Sequence, residues 1–285
     1  MKRIFAIALA AVVLFPSCDK TKEDQAAAGV IDYMEFLRYD EGEEAGPHSK
    51  IVYTPTFDSQ GRLVKSLEQW YFGDHESGEM MANQYYQTNI TYNDANHTVY
   101  FERGGGYWDY GENPGWTPFE PTSSETMTCN DDLDVTSWRE GTVTMTYKDG
   151  YLDIYDSDPT NEYWWTRLTY VWKDGDLEKI ERKTNRDEGD YYKFTYTKDL
   201  NPFGNYDVIS AALCGMIDGE MGLWAACLFG NHSKHLIATE TEMDNNTVVT
   251  YTYTKDKKGR IVEVRRADGE ALGGPIGGVW KIYWK

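Results

Sequence analysis

Short runs in which tyrosine, tryptophan and valine alternate with threonine, each stopped by a Lys/Asp/Gly turn, constrain this chain most. Alternation with period two puts one set of side chains on each face of a strand. In Val143-Thr-Met-Thr-Tyr147, Lys148-Asp149-Gly150 and Tyr151-Leu-Asp-Ile-Tyr155, the Asp-Gly pair suits a tight hairpin because both residues tolerate positive φ. Leu168 to Trp172, Asp174-Gly175 and Leu177 to Arg182 repeat the scheme, as do Val249 to Tyr253, Lys257-Lys258-Gly259 and Arg260 to Arg265. Weaker versions occur at Ile51 to Ser66, turning at Asp58 to Gly61, and at Ile90 to Phe101. The spacing is too irregular for a strict repeat. The expected architecture is mainly β: a curved antiparallel meander, open or barrel-like, with one face wet.

One stretch departs from this cadence. Tyr206 to Phe229 is rich in Ala, Leu, Ile, Met and Gly. Val208, Ile209, Ala212, Leu213, Met216 and Ile217 follow helical spacing, with Asp207 as N-cap. Asp218 and Glu220 interrupt the run, so it does not read as a membrane span. The expectation is one apolar helical segment packed on the sheet as a plug or cover. Residues 103–134, rich in Gly, Trp, Pro and acids, read as a long irregular excursion.

The N-terminus carries an address. Met1-Lys2-Arg3 precedes an apolar run from Ile4 to Phe15, then Pro16-Ser17-Cys18. A basic start, a short apolar run and a small residue form an export signal. The run falls short of the about 20 residues that a membrane-spanning helix needs. Ser17-Cys18 resembles the lipobox of bacterial lipoproteins, in which the cysteine thiol receives a diacylglycerol after cleavage just before it. Phe15 and Pro16 depart from that pattern. The resemblance implies a signal peptide over 1–17, lipid attachment at Cys18, a tether over 18–29 and a β-rich domain over 30–285. Two or more acyl chains anchor stably where one does not.

Charge narrows the partners. With 28 Lys+Arg against 47 Asp+Glu, the chain carries −19 at pH 7. It repels phosphate backbones, so nucleic acid is not an expected partner. It also repels anionic lipid surfaces, which suits attachment by covalent lipid. Beyond Cys18, three cysteines remain: Cys129, Cys214 and Cys227. An odd number leaves at least one thiol free, and buried thiols are the favoured reading over a Cys214–Cys227 disulfide.

Motifs for chemistry are sparse. His232 and His235 stand three apart with no obvious further ligand, and Asn231 and Ser233 suggest a turn. His75-Glu76 lacks the second histidine of a zinc-protease helix. Asn130-Asp131-Asp132 and Asp156-Ser157-Asp158 do not fit the calcium-loop pattern. No nucleophile elbow, phosphate loop or dinucleotide fingerprint occurs. Neither a catalytic residue, a metal nor a cofactor is therefore assigned. The remaining signal is aromatic: 10 Trp and 22 Tyr. Trp108, Trp116, Trp164 and Trp165 are the candidate ligand-binding residues, since exposed indoles stack on sugar rings or line apolar grooves. The alternative is that they pack the sheet.

The Tyr/Thr strands with Lys-Asp-Gly turns, the lipobox, the tether and Asn201-Pro202-Phe203-Gly204-Asn205 before the apolar stretch resemble a family of Bacteroidetes lipoproteins that carry a domain of unknown function described as porin-like. The resemblance spans roughly residues 30–285 and implies a curved or barrel-like sheet in the cell envelope. It carries over no functional residue. A membrane-spanning barrel needs an apolar lipid-facing band, whereas threonine fills the alternate positions here. The expected function is non-catalytic binding of a glycan, a lipid-like ligand or an envelope partner by an outer-membrane lipoprotein. The competing expectation is a polysaccharide hydrolase using acids from 103–134. Cys18→Ala is expected to abolish lipid labelling and move the protein from the membrane to the soluble envelope fraction. A wild-type chain that takes no label would refute the lipobox reading.

Overall fold

The computed structural model describes residues 30–39, 46–73, 79–158, 160, 165–203, 228–244, 246–268 and 277–285. These contain the strands β1 (Ile31–Tyr39), β2 (Ser49–Phe57), β3 (Leu63–Gly73), β4 (Met80–Asn93), β5 (Thr98–Asp109), β6 (Gly115–Trp116), β7 (Glu120–Cys129), β8 (Val135–Trp138) and β9 (Val143–Lys148). The second half supplies β10 (Tyr151–Ser157), β11 (Thr166–Lys173), β12 (Asp176–Thr184), β13 (Glu188–Leu200), β14 (His235–Glu242), β15 (Thr247–Lys255), β16 (Ile261–Asp268) and β17 (Gly277–Trp284). Each pairs antiparallel with its sequence neighbours, except that β6 folds back on β5 alone and β7 pairs with β5. β1 pairs with both β2 and β17, so the sheet closes into a barrel of 16 strands.

The closing seam is closely packed. Met34 faces Ile282, and Phe36 faces Trp280. The Phe36 and Trp280 rings lie 4.4 Å apart, and Tyr33 stacks on Tyr283 at 4.2 Å. Gly278 makes room for this: a Cβ there would stand 2.3 Å from the Phe36 ring.

Cross-strand partners share a face, so the ladder separates inside from outside. Inward positions carry the apolar set. Met34, Val99, Met127, Val135, Leu177, Ile180 and Val264 are fully buried and belong to one continuous cluster. Barrels of this strand number leave an aqueous channel in porins; here the inward side chains of this cluster are shut off from water. Outward positions are polar. β15 presents exposed Thr250, Thr252 and Thr254. Asp156 and Arg167 form a two-pronged pair at 2.7 and 3.0 Å, and Lys179 pairs with Asp190 at 3.1 Å. A wall of threonines and ion pairs is a wall for water, the reverse of a lipid-facing band.

The two ends differ. At one end lie the tight turns, and one five-residue design occurs three times. In 58–62 and 256–260 the Asp carboxylate accepts two backbone N–H groups and the guanidinium of the closing Arg. In 130–134, Asn130 replaces that Asp, Leu133 with φ 67° replaces the glycine, and Asp134 replaces the arginine. The acidic run at 130–134 is thus a turn. Asp149-Gly150 and Asp174-Gly175 have positive φ at both residues, as their hairpins require. Residues 228–234 run across this end: Asn231 N–H donates to Gly150, Lys234 N–H to Gly175, and Asn201 N–H to Lys234. Phe203, Leu228 and Phe229 are buried in the apolar cluster there.

One expectation needs correction and several lie outside the described residues. No α-helix occurs among the described residues; of 206–229 only Leu228 and Phe229 are described, so the expected helical segment lies outside them. Residues 103–134 are not an irregular excursion: they hold the end of β5, β6 and all of β7. Their glycines reflect close approach, since a Cβ on Gly104 would stand 2.1 Å from the Glu120 carbonyl oxygen, and one on Gly105 equally close to that of Tyr85. The signal, Cys18, the tether, Cys214 and Cys227 lie outside the described residues. Cys129 is buried, with its thiol pushed up to about 11 by burial and by Asp134.

Asp134 is a half-buried titratable group at the capped end. Burial, aided by Asp132, pushes its carboxyl up to about 6, against hydrogen bonds from Asn130 and Gly230 N–H. Between about pH 4 and 6 the folded state keeps a proton that the unfolded chain has lost. Stability therefore falls as pH rises through that window. Asp134→Asn keeps the acceptor and removes the charge. It is expected to raise the urea midpoint over wild type at pH 7.5 and to give no gain at pH 4. Equal midpoints at both values would show that Asp134 is not held away from water.

Candidate functional site

The opposite end of the barrel is a mouth, and its inner wall is polar. On β10, β11 and β12 the ladder sets two rungs side by side: Tyr155–Leu168–Arg182 and Ser157–Thr166–Thr184. Next in the ring, β13 faces Arg182 with Gly189, around whose Cβ position no atom lies within 4 Å. Gly189 is exposed there, at the rim. Just beyond, the register slips so that Ile180 faces Tyr192 while Glu181 faces Asp190. Tyr191 is the extra residue of this bulge, and a bulge re-aims a side chain. The result is a cavity of about 320 Å³ lined by these six residues and Tyr191.

Arg182 is the cavity's charged group. Its Cζ lies 4.2 Å from the Tyr191 ring centroid, a cation–π contact. Its Nη2 donates to Asp244 at 2.8 Å and to Asp187 at 3.3 Å. Burial works against its charge, but Asp244 and Asp187 outweigh burial and hold its pKa above the ordinary value. Further round the inner wall, Tyr251 OH donates to Glu240 at 3.0 Å, and Tyr192 faces Glu242. Burial pushes both phenols up, helped by Glu240 for Tyr251 and, after burial, chiefly by Tyr191 and then Glu242 for Tyr192. Glu68 is also buried, which pushes its carboxyl up against the attraction of Arg103.

The tryptophans singled out in the sequence occupy other places. Trp108 and Trp116 are cross-strand partners in the β5–β6 hairpin, edge to face at 5.1 Å. Trp116 also meets Tyr85 at 5.5 Å and Tyr71 at 6.3 Å. Tyr71 faces Lys50, on the outward side of the wall, and the Lys50 ammonium lies 4.6 Å from its ring. Tyr85 OH donates to the Thr117 carbonyl at 3.0 Å. This cluster folds the hairpin onto the barrel's outer surface. Trp165 precedes Thr166 of the cavity, five strands round the ring from β5. Trp164 lies outside the described residues.

Other candidates are occupied by turns. His235 Nδ1 pairs with Asp176 Oδ2 at 2.7 Å, and His235 N–H donates to Asp176 Oδ1 at 2.8 Å. Of the acids in 103–134, Asp109 accepts from Gly111 N–H, Glu125 from Arg139 N–H and Asp134 from Asn130. Sequence reasoning did not select the cavity residues. Two signals were present: Gly189 inside a strand, and the Tyr191-Tyr192 doublet, which breaks alternation where a bulge sits.

The fold is similar to that of a porin-like protein from Bacteroides uniformis ATCC 8492, with a TM-score of 0.62 and 16% identity over 90% of this chain and 96% of that one. No protein-family model matches the chain, and no curated protein matches it. At this identity the likeness establishes the barrel fold.

If Trp116 serves as a packing residue, its removal uncovers Tyr85 and loosens the hairpin. Trp116→Ala is expected to cost about 1–3 kcal/mol in urea unfolding, less than for a full core aromatic. An unchanged midpoint would free the indole for a ligand-binding role.

Proposed function

We propose that this protein is a lipid-anchored, non-catalytic binding protein of the cell envelope that takes a small ligand into the mouth of its barrel. The observation that carries the reading is the mouth cavity. Its volume lies at the lower end of the range for small-molecule sites, roughly 300–1,000 Å³. Two tyrosines offer ring faces, and Ser157, Thr166 and Thr184 offer hydroxyls. A polar lining of this kind favours a glycan over a lipid-like ligand, which needs apolar walls. The lipobox motif at Cys18 supports the anchor, and the porin-like fold is in keeping with an envelope location. The carboxylates beside the cavity, Asp187 and Asp244, are both engaged by Arg182, which speaks for binding rather than for paired-carboxylate hydrolysis.

Gly189→Val adds a side chain at the rim, on the strand position facing Arg182, where an added Cβ meets no neighbour within 4 Å, so the variant should fold. The full chain is titrated by calorimetry with short neutral sugars, uronic acid sugars and laurate, and products are followed by chromatography. The expected result is binding without product, weakened about tenfold or more by Gly189→Val, a difference of about 1.4 kcal/mol. Product release, or binding that ignores Gly189→Val, would overturn the reading.

A further inference from the structure

We propose that the mouth carries a second contact surface, an aromatic ledge of Trp70, Gln84, Tyr86 and Tyr107 on the inner wall of β3–β5, and that this ledge takes further units of a saccharide chain whose end lies in the cavity. The ligand is then an oligosaccharide of several units, not a mono- or disaccharide. The inference rests on the reading of the mouth as a glycan site and names the class of glycan it accepts.

Register places the ledge. Ile90 and Phe101 are cross-strand partners buried in the apolar cluster, so they mark the inward side of β4 and β5. Steps of two from that pair toward the mouth put Thr88–Arg103, Tyr86–Gly105 and Gln84–Tyr107 on the same side. On the β3 side, Gln84 faces Trp70, and Trp70 faces the buried Ile51. Ile51, Trp70, Gln84 and Tyr107 thus form one inward rung over four strands. Phe72 faces Met81 one step nearer the rim. The outward set of Tyr85, Trp108 and Trp116 belongs to the hairpin cluster and is separate. Between β5 and the cavity's first strand, β10, stand β7, β8 and β9.

The ledge offers rings and hydrogen-bonding groups that the protein does not use up. The Trp70 ring has Phe72 and Tyr86 as neighbours, each with its ring centroid 6.4 Å away. The Arg103 guanidinium, 5.2 Å from the Tyr86 ring, braces that ring in turn. Rings held in this way keep their place before a ligand arrives. Toward the rim, Tyr107 is 62% exposed and Met81 44%, so neither is spent on packing. No described residue hydrogen-bonds the Gln84 amide or the Tyr86 and Tyr107 hydroxyls. Ring faces beside an open amide and open hydroxyls suit a sugar, which has an apolar face and a hydroxyl edge. A fatty chain would cover those polar groups and give them no partner. The ledge starts four strand spacings from β10, about 19 Å along the wall. A disaccharide seated in the cavity leaves it bare, whereas a longer chain covers both.

The test measures, by calorimetry on the full chain, cellobiose against cellohexaose, mannobiose against mannohexaose and xylobiose against xylohexaose. The proteins are wild type, Tyr107→Ala, Gln84→Ala and, for the cavity, Tyr191→Ala, with thermal melts to check that each is folded. In at least one series the six-unit chain is expected to bind wild type more than about tenfold tighter than the two-unit sugar, beyond the roughly fivefold that repeated units give by number alone. Tyr107→Ala is expected to weaken the six-unit chain about three- to tenfold, the worth of one ring contact, and to leave the two-unit sugar unchanged. Gln84→Ala should act in the same direction, and Tyr191→Ala should weaken both lengths. Equal affinity for the two lengths, or a length advantage that survives in folded Tyr107→Ala and Gln84→Ala, would overturn this inference and leave the cavity standing as the site. If neither length responds to Tyr191→Ala, the mouth reading itself fails and this inference falls with it.

Discussion

The pairing of β1 with β17 is the contact on which the rest of the barrel depends. The other fifteen junctions join strands close in the chain, mostly through short connections. The seam alone joins residues near opposite ends of the described chain, as with Glu35 and Tyr283, whose side chains are hydrogen-bonded at 2.9 Å. Without it, two long edges would expose unpaired N–H and C=O groups, a template for association. The apolar cluster would also lie open to water along one side. Loop closure over this separation costs entropy that grows only slowly with length. The stacked Tyr33–Tyr283 and tilted Phe36–Trp280 pairs help offset that cost.

Closure and patterning together invert the usual logic of a wide barrel. A porin keeps water inside and lipid outside. Here Leu177 and Ile180 face in, while Lys179 and Glu181 face out. The same alternation on every wall gives a dry interior toward the capped end. Near the mouth the inward residues change character, and Arg182, Tyr191, Glu240 and Tyr251 line or approach it. The polar groups come in partnered sets, which is the condition for burying them at tolerable cost. An apolar half and a polar half within one lumen give the barrel a direction along its axis.

The hairpins were legible because their determinants are local. Asp149-Gly150 and Asp174-Gly175 announce their turns in two residues, and period-two alternation announces the strands on either side. Closure was not legible, since nothing in Met34 or Ile282 alone states that they face each other. Residues 103–134 misled for a physical reason. Glycine and proline signal loops on average, but Gly104 and Gly105 are needed where neighbouring backbones crowd a strand. The mouth site was hidden in a similar way. It is built from one or two residues on each of four strands, brought together by register, with a bulge at Tyr191 that only the ladder reveals. The tryptophans drew notice by abundance, yet Trp108 and Trp116 spend their surface on each other and on Tyr85.

The chain enters and leaves the barrel at the same place. Lys285 N–H donates to the Val30 carbonyl at 2.9 Å, so the first and last described residues are hydrogen-bonded neighbours. Both sit at the end carrying the Asp-Gly turns, remote from Arg182 and Gly189. A fluorophore, bead or carrier domain joined ahead of Val30 or behind Lys285 would therefore be mounted on the closed base and leave the approach to the mouth unobstructed. The same adjacency suits circular permutation: a short linker could join the two ends, and new termini could be cut in a rim loop without breaking the seam.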